Sequence, residues 1–314
     1  MKLATLRNET PDGRLVLVSN DGSHYAEAPL ATLQHVLENW EVSKPILEAV
    51  TEFPFVLDSA KLAAPLPRSW QWLDGSAFAT HADLMQIAFG LDPIDAERPL
   101  MYQGMSDRFY GPHDPVQFPA EDLGIDFEGE FGVIVDEVPM GVSAERAVDH
   151  IRLLVQINDW SLRAIAPIEM KTGFGWVQAK PACSVAPFAV TPDELGSAWR
   201  NGRVCLDLEV FWNGERFGKV NGDQMAFSFP ELIAHAARTR DLVAGTIVGS
   251  GTVSNVEYAA RGSACISERR AIEMIASGRA QSGFMKFGDR VRMEARSEKD
   301  EILFGAIDQV VSRR

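Results

Sequence analysis

Short apolar runs broken by turn residues dominate the chain, and few stretches show the i, i+3, i+4 spacing of a surface helix. Near the start, Lys2-Leu3-Ala4-Thr5-Leu6 and Leu15-Val16-Leu17-Val18 are separated by Pro11-Asp12-Gly13, and Asn20-Asp21-Gly22 follows. Strand-like runs joined by tight turns predict a small β unit. Leu30 to Asn39 and Ile46 to Val50 read as helical before Ala63-Ala64-Pro65-Leu66-Pro67 interrupts the pattern. A boundary is expected there, with a small N-terminal β-rich domain over 1–66 and a larger domain over 67–314.

Beyond Trp70, turns rich in Gly, Pro and Asp alternate with brief apolar segments. Strands are expected at Phe131–Val135, Val185–Val190, Val204–Trp212, Arg216–Val220, Thr246–Gly249, Arg290–Ala295 and Leu303–Val311. Asn213-Gly214 between two of them is a type I′ hairpin signal. Ala147, Ile151, Leu154 and Val155 lie at helical spacing and predict a helix over Ala144–Ile157, and Pro230–Arg240 gives a second. No regular βαβ alternation appears, which disfavours a doubly wound Rossmann fold. The expected class is α+β, mostly β.

Composition narrows the function classes. A chain of 314 residues, 46% hydrophobic and 24% charged, can bury a full core. A formal net charge of −14 disfavours nucleic acid and anionic membrane surfaces as partners, but leaves an anionic substrate open, because a few local cations can reverse the local potential. No run approaches the ~18 apolar residues of a membrane span, and the apolar run at Met1–Arg7 is too short for a signal peptide, so a cytoplasmic protein is expected. Cys183, Cys205 and Cys265 have no C-x-x-C spacing and read as reduced core residues.

The densest candidate chemistry is Asp126-Phe127-Glu128-Gly129-Glu130-Phe131. In a strand, Glu128 and Glu130 share a face. Two like charges so placed need a reason to coexist, and a hard dication would supply one. The pair alone also fits a solvated outer face, yet Phe131 to Val135 is apolar on both sides, as at a sheet end. Asp159 in Asn158-Asp159-Trp160-Ser161-Leu162-Arg163 reads either as part of a helix cap or as a third carboxylate. Asp74 and His81 lie seven positions apart, Lys180 sits among apolar neighbours, and Gly251-Thr252-Val253-Ser254 forms a small-residue loop. That loop lacks both phosphate-cradle patterns, and neither a Gly-x-Ser-x-Gly elbow nor a His-Glu-x-x-His helix is present.

Taken in order, Asp74 with His81, Tyr102-Gln103-Gly104, Glu128-x-Glu130, the Asn158–Arg163 motif, Lys180-Pro181, Gly251–Ser254 and Gly288-Asp289-Arg290-Val291 resemble the fumarylacetoacetate hydrolase family over about residues 65 to 311. The N-terminal unit resembles the small domain of bacterial fumarylacetoacetase-like members. The resemblance implies a mixed β-roll catalytic domain, a homodimer, and bound Mg²⁺ or Ca²⁺, with Mn²⁺ as a further option. It implies that Asp74, Glu128, Glu130 and Asp159 are metal carboxylates and that Arg163 and Lys180 are cationic active-site residues. His81 would activate water, Tyr102 and Thr252 would contact substrate, and Glu268, two residues beyond strict family spacing and expected on a strand, would orient His81.

The resulting expectation is a hydrolase that cleaves a C–C bond in a β-diketo acid, with fumarylacetoacetate from tyrosine and homogentisate breakdown as first choice. Acylpyruvase, oxaloacetate decarboxylase and 2-oxo-acid hydratase activities are the alternatives within the family, and a non-enzymatic small-molecule or metal binder is the alternative outside it. Ala166, Gly90 and Met170 stand where animal fumarylacetoacetases carry a glutamine, an arginine and a tyrosine, so the substrate contacts are partly rebuilt. The segment from Gly104 to Pro119 reads as a polar surface loop, with a lid as the other possibility.

Overall fold

A computed structural model of the chain describes residues 1–90, 97–297 and 299–314. Two sheets face each other across the main core. The larger has eleven strands. It runs from Phe55–Val56 through His24–Glu27, Arg14–Val18, Lys2–Leu6, Ala189–Val190, Ile151–Asn158, Gly129–Val135, Ile247–Gly249 and Trp72–Ser76 to Leu100–Gly104, with Ser184–Val185 also on Ile151–Asn158. The smaller orders five strands as Glu215–Asn221, Asp207–Trp212, Arg290–Ala295, Ile307–Arg313 and Val116–Phe118. The fold is mixed α and β, with strands dominating the core.

Every residue of Gly129–Val135 is buried, because both faces of this central strand are covered. Phe131, Val133 and Val135 face the core shared with the smaller sheet, alongside Leu208 and Met293. Ile134 points the other way, into a second core with Leu33, Val36, Leu37 and Leu47 from the N-terminal helices Leu33–Glu38 and Trp40–Glu48. Each fully buried aliphatic side chain contributes about 1.5–3 kcal/mol. The strand that carries Glu130, with Glu128 just ahead of its first residue, is therefore held by packing on both faces.

The expected helix over Ala144–Ile157 is mostly a strand. Only Ala144–Ala147 is α-helical, a short 3-10 turn follows, and Ile151–Asn158 pairs with Gly129–Val135 in an antiparallel ladder. A strand buried on both faces loses its polar alternation, and its continuous apolar run then mimics helical spacing. Asn158 and Asp159 accordingly close a strand rather than cap a helix. The expected 185–190 strand is two pieces, Ser184–Val185 and Ala189–Val190, and the 204–212 strand is interrupted, with Arg203–Val204 pairing Trp199–Arg200 before Asp207–Trp212 begins. The last strand is displaced to Ile307–Arg313.

The Asn213-Gly214 hairpin and the second expected helix match the structure. Asn213 and Gly214 both take positive φ, 51° and 83°, and turn the hairpin between Asp207–Trp212 and Glu215–Asn221. A helix forms over Phe229–Ala236, started by a capping box of Ser228 and Glu231. The Gly104–Pro119 segment is tied down rather than a free surface loop: the Phe109 N–H donates to Pro67 O at 2.8 Å and the Tyr110 N–H to Cys183 O at 2.8 Å. Among the described residues, no helix is long and apolar enough to cross a membrane.

Candidate active site

The Trp72–Ser76 strand carries Asp74 into register with Tyr102 on Leu100–Gly104 and with Gly249 on Ile247–Gly249. A side chain at Gly249 could not fit, since a Cβ there would lie 2.4 Å from Asp74 Oδ1. Gly251, at φ +74°, brings its N–H to Asp74 Oδ1 at 3.1 Å, and a Cβ at that position would meet Gly75 O at 2.3 Å. Two glycines thus let the loop close onto the carboxylate.

Next in the sheet, Gly129–Val135 and Ile151–Asn158 bring the acidic pair beside Asp159. The Asp159 N–H donates to Glu128 O at 2.9 Å, and Asn158 Oδ1 accepts from the Glu128 N–H at 2.9 Å. Asp74, Glu130 and Asp159, all buried, each place a carboxylate oxygen within 4.8 Å of the others. Both oxygens of Glu130 are buried without a hydrogen-bond donor. A buried ionised carboxylate in that condition is strongly disfavoured. Burial first, and then the neighbouring carboxylates, push Glu130 and Asp74 well above the usual carboxylate range.

Such an arrangement fits a hard dication. Oxygen ligands from three carboxylates suit Mg²⁺, Mn²⁺ or Ca²⁺, and a cation between them would satisfy the Glu130 oxygens and remove the mutual repulsion.

Glu128 lies beside this triad with its carboxylate fully engaged. It accepts from Arg163 Nη2, from Ser161 Oγ at 2.9 Å and from Thr252 Oγ1 at 2.8 Å, and Lys180 Nζ stands 3.1 Å away. Burial alone would raise its pKa, but the Lys180 and Arg163 charges hold it well below the ordinary range. Lys180 also donates to Asp159 Oδ2 at 2.7 Å, and Tyr102 Oη donates to the same oxygen at 2.5 Å. Burial tends to discharge Lys180, but Asp159 and Glu128 outweigh it and keep the ammonium protonated. The hydroxyls of Tyr102 and Thr252, expected at the substrate, are here committed to carboxylates.

His81 is the third residue of the Ala79–Phe89 helix, and Gly90 ends that helix in the left-handed region at φ 60°. An arginine at position 90 would be strained, which gives a backbone reason for the glycine. His81 Nδ1 meets Glu268 Oε2 at 2.7 Å, and Glu268 is completely buried. The carboxylate accepts the Nδ1 proton and leaves Nε2 as the free, basic nitrogen. The histidine itself is partly exposed, at 16% of its side-chain surface, and lies within electrostatic reach of Glu128. Glu268 sits on the helix Ile266–Ser277, not on the expected strand.

Four residues at the site escaped sequence reasoning. Cys183 donates its thiol to Asp159 Oδ1 at 3.0 Å, and Ser161 donates to Glu128. Glu169 accepts the N–H groups of Val177, Gln178 and Ala179, which fixes the chain entering Lys180. Asp126 holds Arg163 Nε at 2.9 Å. Only Asp126 left a usable trace, as a third acid two residues ahead of Glu128. Ala166 and Met170 lie on the Ala166–Thr172 helix, with the Met170 side chain exposed.

Known proteins resemble this chain over nearly its whole length. Residues 71–312 match the model of the fumarylacetoacetate (FAA) hydrolase C-terminal region, and residues 1–68 match fumarylacetoacetase N-terminal domain 2. The chain belongs to the fumarylacetoacetate hydrolase family. Among its curated relatives is a 2,4-didehydro-3-deoxy-L-rhamnonate hydrolase of Sphingomonas sp., 30% identical over 167 residues, which are 52% of this chain and 55% of that protein. An oxaloacetate tautomerase of Bacillus subtilis is 26% identical over 79% of this chain and 78% of its own length. The fold matches a maleylpyruvate hydrolase of Sphingobium sp. SYK-6 solved with manganese(II) and pyruvate, at TM-score 0.66 and 19% identity over the whole of both chains. It also matches a fumarylacetoacetate hydrolase of Exiguobacterium antarcticum, at TM-score 0.71 and 17% identity over both full chains. This family of enzymes thus spans hydrolases and tautomerases on one scaffold.

Proposed function

We propose that this protein is a divalent-metal-dependent hydrolase that cleaves a C–C bond in a β-diketo acid. The single observation that carries the reading is the unpartnered Glu130 carboxylate beside Asp74 and Asp159, with a Glu268-oriented histidine nearby. When bound there, a dication would act as a Lewis acid on a substrate oxo group. Manganese is the natural first choice to test, because a protein of the same fold was solved with manganese and pyruvate.

The chain's own residues supply the remaining chemistry. His81, with Nδ1 held by Glu268, takes a proton from water at Nε2 as the water attacks the carbonyl. Glu268 steadies the imidazolium that forms. Lys180, held protonated between Asp159 and Glu128, would stabilise the negative charge on the departing fragment as the C–C bond breaks, and the imidazolium of His81 would return its proton to that carbon. Arg163 and Thr252 fix Glu128, which keeps the lysine aimed. Glu128 therefore serves best as a partner to the cations, with Asp74, Glu130 and Asp159 as the direct ligands.

Fumarylacetoacetate is the first substrate to test, beside an acylpyruvate and oxaloacetate. The oxaloacetate tautomerase relative supports the last as a second reading, since the same base and cation can move a proton without adding water. The deciding experiment follows each compound spectrophotometrically with Mn²⁺ or Mg²⁺ and again after EDTA. Metal-dependent consumption with two carboxylic acid products and no release of CO₂ supports hydrolysis. Enol–keto interconversion without fragments would replace this reading with tautomerisation, and turnover that persists after EDTA would overturn the metal assignment.

A further inference from the structure

Asp126 belongs to neither the carboxylate triad nor the histidine pair, yet it touches the support of both. The Ile125–Asp126 strand pairs with Ser161–Leu162, which fixes its backbone beside Arg163. The side chain is completely buried. Its Oδ1 accepts the Ile266 N–H at 2.8 Å, and its Oδ2 accepts both the Ser267 N–H at 2.9 Å and Arg163 Nε at 2.9 Å. Ile266 and Ser267 are the first two residues of the helix whose third residue is Glu268.

A helix start leaves backbone N–H groups unsatisfied and carries partial positive charge. A local Ser, Thr, Asp or Asn ordinarily answers both. Here the cap residue is Cys265, whose sulfur receives only the Glu268 N–H, at 3.3 Å. The anion for the other two donors comes from a residue about 140 positions earlier in the chain.

We infer that Asp126 is a positioning residue that sets two parts of the site at once. Through the helix start it places Glu268 against His81, and through the guanidinium it places Arg163 against Glu128. Glu268 lies in the very turn that Asp126 anchors, so a shift of that turn moves the carboxylate off His81 Nδ1. Misplacement of about 1 Å at a catalytic group can cost on the order of 10²-fold in rate. An asparagine cannot substitute, because its NH₂ would face either a backbone N–H or the guanidinium, donor against donor.

This inference rests on the reading of His81 as the base, and the test separates the two. With an acylpyruvate and Mn²⁺, Asp126→Asn should lower kcat by about 10- to 100-fold with little change in KM. The double variant with Glu268→Gln should be slower than Glu268→Gln alone by less than the full Asp126→Asn effect, since the two changes share the His81 device while the Arg163 support is lost only with Asp126. Independently of turnover, ¹⁵N-edited histidine NMR should show the His81 Nδ1–H resonance, assigned with His81→Asn, shifted or lost in Asp126→Asn. The His150 resonance, whose ring nitrogen meets Asp136 at 2.8 Å, should stay in place as the internal control. If Asp126→Asn does not fold, Asp126→Glu keeps the charge facing Arg163, displaces it by one methylene, and should give the same two signatures. An unchanged His81 resonance, or a double variant slowed by the product of the single effects, would overturn the inference. Failure of every oxo acid as substrate would remove the proposed function alone and leave the NMR result to decide the role of Asp126.

Discussion

Glu130→Gln should abolish divalent-metal binding and reduce turnover by on the order of 10³-fold or more, while making the metal-free protein more stable near pH 7. The rate estimate follows from losing several kcal/mol of Lewis-acid stabilisation at about 1.36 kcal/mol per tenfold. The stability effect follows from the site's own electrostatics. Burial and adjacent carboxylates raise Glu130 and Asp74 well above their usual range in the folded, metal-free protein. A group whose folded pKa is raised stabilises the fold below its unfolded value of about 4, and that stability is lost as pH rises through the folded value. The metal-free protein should therefore melt at progressively lower temperature above about pH 4. The dication needs ionised carboxylates, so its affinity should rise with pH over the same interval. Thermal melts at several pH values, with and without Mn²⁺, check both signs. In Glu130→Gln the pH-dependent loss should be smaller and the rise in Tm on adding metal should disappear.

His81→Ala should lower kcat by about 10²- to 10⁴-fold, the usual contribution of a positioned general base. It should leave the metal-dependent rise in Tm intact, because the histidine lies outside the carboxylate triad. That split distinguishes a base from a metal ligand. Steady-state kinetics alongside metal-titrated melts provide it, and loss of metal binding in His81→Ala would contradict the assignment of roles.

The acidic strand was legible because its peculiarity is local: two glutamates in step, opening a run that is apolar on both sides. The hairpin at Asn213-Gly214 was legible for the same reason, since its backbone demand is met by the two residues themselves. Ile151–Asn158 was not, because a strand covered on both faces shows no alternation. The Glu268 helix was hidden for a different reason. Its start is stabilised by Asp126, far away in sequence, so no cap signal appears beside it. Glu169, Cys183 and Ser161 are of residue types too common to stand out until the fold sets Glu169 under the 177–179 backbone, Cys183 against Asp159 and Ser161 against Glu128.

The N-terminal strands join the rest of the larger sheet where Lys2–Leu6 lies against Ala189–Val190. Lys2 and Leu3 pair with Val190 and Ala189, and Lys2 Nζ donates to Ile302 O at 2.6 Å. Severing the chain within Ala63–Pro67 would therefore not release the N-terminal part. The two fragments should co-elute in gel filtration and melt together, behaving as a noncovalent complex whose seam runs through the middle of one sheet.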